Sequence, residues 1–195
     1  KALQIEPGMV EALNNLGGAL RDQGKLEAAI PVFQRALKIK PGMAEAHSNL
    51  GIVYFELGRY REAQDSYLRA LKIEPRFADA HSNLANVLQA MGRPLEAEES
   101  CRKALQIEPG MVEALNNLGG ALHAQGKLEE AISAYQQVLR ASPRMFKAHC
   151  NLGNVYSELG RYKEALACCQ QALQIEPSFA EAHNNLGGVY QTLGH

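Results

Sequence analysis

Apolar residues return along this chain at helical spacing, and the helical runs come in pairs. Ala12, Leu13, Leu16, Gly17, Ala19 and Leu20 follow an i, i+3, i+4, i+7 pattern, which predicts an amphipathic helix. A second run passes through Ala29, Ile30, Phe33, Ala36, Leu37 and Ile39. Gly24 lies between the two and predicts the end of the first helix, because glycine tolerates positive φ. Pro41 lies just past the second run and bars its continuation. Pro31 falls beyond the first turn of its helix in this register, which predicts a delayed start or a bend. Pro94 falls at a helix entrance, where proline is well tolerated.

The pair then repeats. Pro7, Pro41, Pro75, Pro109, Pro143 and Pro177 are each 34 residues apart. Gly24, Gly58, Gly92, Gly126, Gly160 and Gly194 keep the same period, as do Leu16, Leu50, Leu84, Leu118, Leu152 and Leu186. Counted from Val10, full units span 10–43, 44–77, 78–111, 112–145 and 146–179. Residues 1–9 read as the end of a preceding unit and 180–195 as the first helix of a following one. Both ends fall inside a unit and the chain opens on Lys1, so it reads as a piece of something longer. Helix, turn and helix repeated in this way predict an all-α solenoid.

The spacing of Leu16, Gly17, Leu20, Gly24, Ala29, Phe33, Ala36 and Pro41 resembles the tetratricopeptide repeat and recurs along the whole chain. The family's bulky aromatic near the start of the first helix is replaced by Leu13, His47, His81, Leu115, His149 and His183. The resemblance implies a right-handed superhelical solenoid of antiparallel helix pairs, in which the first helices line a concave wall.

The stretch "EALNNLGGAL" (11–20, repeated at 113–122) sets weak helix formers in mid-helix, where glycine costs about 1 kcal/mol relative to alanine. Gly17 shares the face of Leu13, Leu16 and Leu20, which predicts close approach of the partner helix opposite small residues such as Ala29. Gly51, Ala85, Gly119, Gly153 and Gly187 repeat that position. The next position varies (Gly18, Ile52, Asn86, Gly120, Asn154, Gly188), as a contact surface would.

One polar position does not vary. Asn15, Asn49, Asn83, Asn117, Asn151 and Asn185 fall on a stripe opposite the core face, with Glu11, Gly18 and Asp22 in the first unit. Lys, Glu or Gln would solvate equally well and make better helices. A carboxamide offers an acceptor and two donors at a fixed place, suited to the backbone of an extended chain. These six, with Asn86 and Asn154, are the candidate peptide-binding residues. The row resembles the superhelical arm of O-linked N-acetylglucosamine transferase and its bacterial relatives. That resemblance implies a protein-substrate-binding arm whose catalytic part lies outside this chain. Duplication offers a simpler source, since residues 1–20 and 103–122 are identical and would carry asparagine along as a helix-surface residue.

Composition narrows the chemistry. Lys and Arg number 20 against 21 Asp and Glu, which argues against a nucleic-acid or anionic-membrane surface. No apolar run approaches the roughly 18 residues of a membrane span. Cys101, Cys150, Cys168 and Cys169 form no C-x-x-C pair and read as free thiols in a reducing, cytoplasmic setting. His47, His81, His149 and His183 share a core-edge register and read as packing residues; His123 and His195 read as isolated surface groups.

The positions before the row (Asn14, Ser48, Ser82, Asn116, Cys150, Asn184) carry no basic residue, against a carboxylate clamp in the groove. Beside them Glu11, Glu45, Asp79, Glu113 and Glu181 form a mildly acidic rim, reversed only at Lys147. No nucleophile array, phosphate loop or carboxylate pair stands out, so no catalysis, cofactor or metal is expected. The expected partners are proteins or extended peptides. Self-association through an apolar face at Leu186, Val189 and Tyr190, in a scaffold or consensus-like array, is the third reading.

Overall fold

The computed structural model describes residues 7–193. The opening residues 1–6 lie outside it, as do Gly194, the last glycine of the series, and the surface candidate His195. Among the described residues there are eleven helices and no strand. The chain divides into two compact units, Lys1–Arg93 and Pro94–His195.

In the first unit, α1 (Pro7–Asp22) and α2 (Leu26–Ile39) form one hairpin, α3 (Ala44–Glu56) and α4 (Tyr60–Ile73) the next, and α5 (Ala78–Ala90) packs on α4. Within this unit each helix touches the next in sequence, and the first helices also touch one another, α1 on α3 and α3 on α5. The second unit begins with α6 (Pro94–Ile107). The hairpins α7 (Val112–Ala124) with α8 (Leu128–Ala141) and α9 (Phe146–Glu158) with α10 (Tyr162–Ile175) follow, then α11 (Ala180–Leu193). Here α7 touches α9, and α9 touches α11.

The turns are built as the pattern predicts. Gly24, Gly58, Gly92, Gly126 and Gly160 all have φ between 70° and 73°. At the first of them the Gly24 N–H reaches the Arg21 carbonyl and the Lys25 N–H the Leu20 carbonyl, at 2.7 and 2.9 Å. That pair of bonds closes the last helical carbonyls in a Schellman turn. The second helices stop just short of their prolines, from Ile39 before Pro41 to Ile175 before Pro177.

Several expectations are corrected. Pro31 neither delays nor shortens its helix: α2 starts at Leu26, the register of Tyr60, Leu128 and Tyr162, and has the same 14 residues as α4. Its ring is exposed, so water can serve the carbonyl it leaves unpaired. Among the described residues, α1 already includes Pro7, Gly8 and Met9, which the repeat count assigns to the end of a preceding unit.

Leu16 is 50% exposed although Leu50, at the same register, is 6% exposed. Helix α3 rests on α2, whereas no described helix precedes α1. Val189, read as part of an open apolar face, is 2% exposed; Leu186 is half-buried, and the exposure falls on Tyr190 and Leu193.

The glycine beside the recurring leucine does allow close approach, to small residues at Gly153, where Cys169 and the Ala165 carbonyl are nearest, but to an aromatic ring at three other positions. A Cβ on Gly17 would stand 2.7 Å from the Phe33 ring, one on Gly51 2.8 Å from Tyr67, and one on Gly119 2.6 Å from Tyr135. The absent side chain makes room for an aromatic ring, which is then fully buried.

Candidate functional site

Geometry around the asparagines starts with their neighbours. Asn14 is buried, and its Nδ2 donates to Glu45 Oε1 on α3 at 2.9 Å. Asn49 Nδ2, one helical turn beyond Glu45, donates to Asn14 Oδ1 at 3.1 Å. In the second unit Asn185 Nδ2 donates to Cys150 Sγ at 3.1 Å. Asn49 and Asn185 thus each fasten their helix to the first helix of the preceding hairpin through one N–H. The carboxamide keeps its oxygen and its second N–H.

The structure brings Asn15, Asn49 and Asn83 onto the touching helices α1, α3 and α5, and Asn117, Asn151 and Asn185 onto α7, α9 and α11. Asn15 is exposed and the other five are half-buried. Among the described residues, Asn15, Asn83 and Asn151 make no hydrogen bond to the protein, while Asn117 does interact with it. Asn86 is exposed on α5 and Asn154 half-buried on α9.

The preceding register is not groove surface. Asn14, Ser48, Ser82 and Cys150 are buried; Asn14, Ser48 and Cys150 lie on α1, α3 and α9, each touched by the next first helix of its own unit. Asn116 is half-buried, and only Asn184, on the last helix, is exposed. The signal was in the sequence: all six side chains are short, uncharged and mostly hydrogen-bonding.

The histidines do more than pack. Nε2 of His47, His81, His149 and His183 lies 2.9–3.0 Å from the carbonyl of Pro41, Pro75, Pro143 and Pro177. Each ring ties the proline turn to the helix that follows it. Burial pushes His47 below its ordinary value, against the opposing pull of the Pro41 carbonyl. His123, expected to be isolated, pairs with Glu158 of α9 at 2.7 Å.

Burial governs the thiols as well. Cys101, Cys150 and Cys169 are buried and Cys168 is half-buried, all four free. Desolvation pushes Cys101 and Cys150 up to about 12 and Cys168 up to about 11, far from thiolate chemistry at neutral pH. Maleimide at neutral pH should therefore label Cys168 slowly in the folded chain and the other three only on unfolding. Mass spectrometry of tryptic peptides would check this, and rapid labelling of Cys150 or Cys169 would contradict it. No group of three or more His, Cys, Asp or Glu side chains among the described residues could hold a metal ion. No described helix is long and apolar enough to cross a membrane.

Comparison with known proteins bears on this architecture. One family model described as tetratricopeptide repeat matches residues 8–74 and 76–144, and another of the same description matches 146–179. The chain belongs to the tetratricopeptide repeat (TPR) family. Among solved structures it is similar to YrrB, described as a TPR protein with an unusual peptide-binding site. That match has TM-score 0.70 and 27% identity, over 88% of this chain and 89% of YrrB. It shares its fold with TTC0263, a TPR protein of Thermus thermophilus, at TM-score 0.77 and 22% identity over 93% and 99% of the two chains. Pseudomonas aeruginosa pilF gives TM-score 0.84 and 21% identity over 96% and 85%. No curated protein sequence matches the chain. The TPR fold accounts for the paired helices, the 34-residue period and the ring-on-glycine contact; it is a protein-interaction fold.

Proposed function

We propose that this TPR chain is a noncatalytic interaction module that holds extended peptide segments against the asparagine face of its first helices. The observation that carries the reading is the half-used carboxamide. Asn49 and Asn185 each spend one N–H on the preceding hairpin, which fixes the group without exhausting it. An amide held in this way offers a carbonyl and an N–H to a ligand backbone at little further entropic cost. Contacts to backbone alone tolerate many side chains, so breadth of partners is the expected behaviour. The likeness to YrrB, named for a peptide-binding site, supports a peptide ligand.

The test uses Asn83→Ala together with Asn86→Ala, both on α5. Neither amide has a hydrogen-bond partner among the described residues, so the thermal midpoint should stay where it is. Anisotropy titration of a labelled, capped Ser/Gly/Asn peptide of about twelve residues should show roughly tenfold weaker binding, the loss of two hydrogen bonds of about 0.7 kcal/mol each. Equal affinity with an unchanged melt would remove the row from the mechanism.

A further inference from the structure

Each first helix carries a charged residue four places ahead of its row asparagine, and Glu45 shows which way that position faces. Its carboxylate accepts from Asn14, the same amide whose oxygen takes the N–H of Asn49. The position therefore flanks the row. In the second unit it is occupied by Glu113, Lys147 and Glu181, all exposed, and none of the three forms an ion pair among the described residues.

Lys147 has a local cost. Where Asn14 Nδ2 donates to Glu45, Asn116 has a lysine at the corresponding place, which cannot accept that N–H; separately, the Asn116 Oδ1, whose counterpart takes the Asn49 N–H, is buried without a hydrogen-bond partner. The lysine thus removes a bond that the other unit makes and forms no ion pair in exchange. Arg144, in the turn ahead of α9, adds a second positive charge and is not paired with Glu113, although both line one recess of about 650 Å³.

We infer that the second unit selects the charge order of its ligand: an extended peptide with basic, acidic and basic side chains about three residues apart. This rests on the proposed peptide-binding row. Packed helices lie about 8–10 Å apart, and an extended chain advances about 3.3 Å per residue, so charges on α7, α9 and α11 fall opposite every third residue. The order is the same read from either end and holds whichever way the peptide runs. Three exposed pairs of about 0.2–1 kcal/mol each set the scale, and salt screens them.

Three capped peptides with Ser, Gly and Asn spacers, titrated against the full chain at low ionic strength, test the inference. They are Lys-x-x-Glu-x-x-Lys, its rearrangement Lys-x-x-Lys-x-x-Glu of identical net charge, and a neutral peptide. The first should bind about fivefold more tightly than the rearrangement, and the difference should shrink in high salt. In Lys147→Glu the three first-helix positions are all acidic and no longer carry a charge order, so the two charged peptides should bind equally. Equal binding of both by the wild type, or a preference that survives Lys147→Glu, overturns the inference. If the neutral peptide still binds in that case, the asparagine reading stands without it; if no peptide binds, both fall.

Discussion

Gly119→Ala should lower the stability of the chain by about 2 kcal/mol, although alanine is the better helix former by about 1 kcal/mol. The new Cβ would sit 2.6 Å from Cε1 and 2.7 Å from Cζ of Tyr135. Tyr135 is fully buried, so the ring has no free space to enter, and overpacking of this kind costs about 1–3 kcal/mol. The same substitution one hairpin later provides the control. At Gly153 the added Cβ would meet Cys169 Sγ at 3.2 Å and the Ala165 carbonyl oxygen at 3.4 Å, contacts that a few tenths of an ångström relieve. Gly153→Ala should therefore be close to neutral. Tyr135→Cys removes the ring that the added Cβ would meet, so Gly119→Ala placed on Tyr135→Cys should cost far less, relative to Tyr135→Cys alone, than Gly119→Ala costs in wild type. Urea denaturation of the four variants measures this. A Gly119→Ala protein as stable as wild type would mean that the ring does not depend on the missing side chain.

Glu98→Ala should cost about 2 kcal/mol at neutral pH, an unusual amount for a carboxylate near the surface. Its side chain is only 12% exposed and accepts from Lys127 Nζ, Gln125 Nε2 and Arg102 Nε at 2.8, 2.8 and 2.9 Å. The Lys127 hydrogen bond first, then those of Gln125 and Arg102, hold the carboxyl at about 2, against the opposing effect of burial. The shift from 4.5 would be worth about 3 kcal/mol if nothing screened it, and partial contact with water reduces that. Because the folded value is depressed, the unfolded chain takes up the proton first as pH falls. The contribution is complete above about pH 4.5 and lost progressively toward pH 2. Wild type should therefore lose its advantage over Glu98→Ala across that window in a series of thermal melts. A difference independent of pH would assign the residue's role to packing alone.

These two cases mark where the sequence stops being readable. Phe33, Tyr67 and Tyr135 fill one register of the second helices, and their glycines one register of the first, yet periodicity alone paired Gly17 with Ala29. Helical phase gives the face a residue occupies, not which of several partner side chains is long enough to reach it. Glu98 carried no sequence signal, because its donors come from α6 and from the turn after α7, up to 29 residues away. The histidines were legible as a register but not as partners of proline carbonyls six residues back, since that bond depends on how the turn folds over the ring.

The asparagine row was legible as a stripe. That its members spend an N–H on the position before them one hairpin earlier was not, because Asn14 and Asn49 meet only when α1 and α3 are side by side.

The amino-acid order by itself determined the helices, their period and their turns, since each rests on interactions within a few residues. Apolar spacing fixes a face, Gly24 supplies the positive φ that ends a helix, and Pro41 withholds an N–H. Tertiary packing decided everything that crosses from one helix to another. It buried Asn14 while exposing Asn15, exposed Leu16 while burying Leu50, and left the Asn116 oxygen without the bond its counterpart makes. The physical reason is the same throughout: burial and hydrogen bonding depend on what the neighbouring hairpin presents, and the residues that meet there, such as Asn14 and Glu45, are 31 apart along the chain.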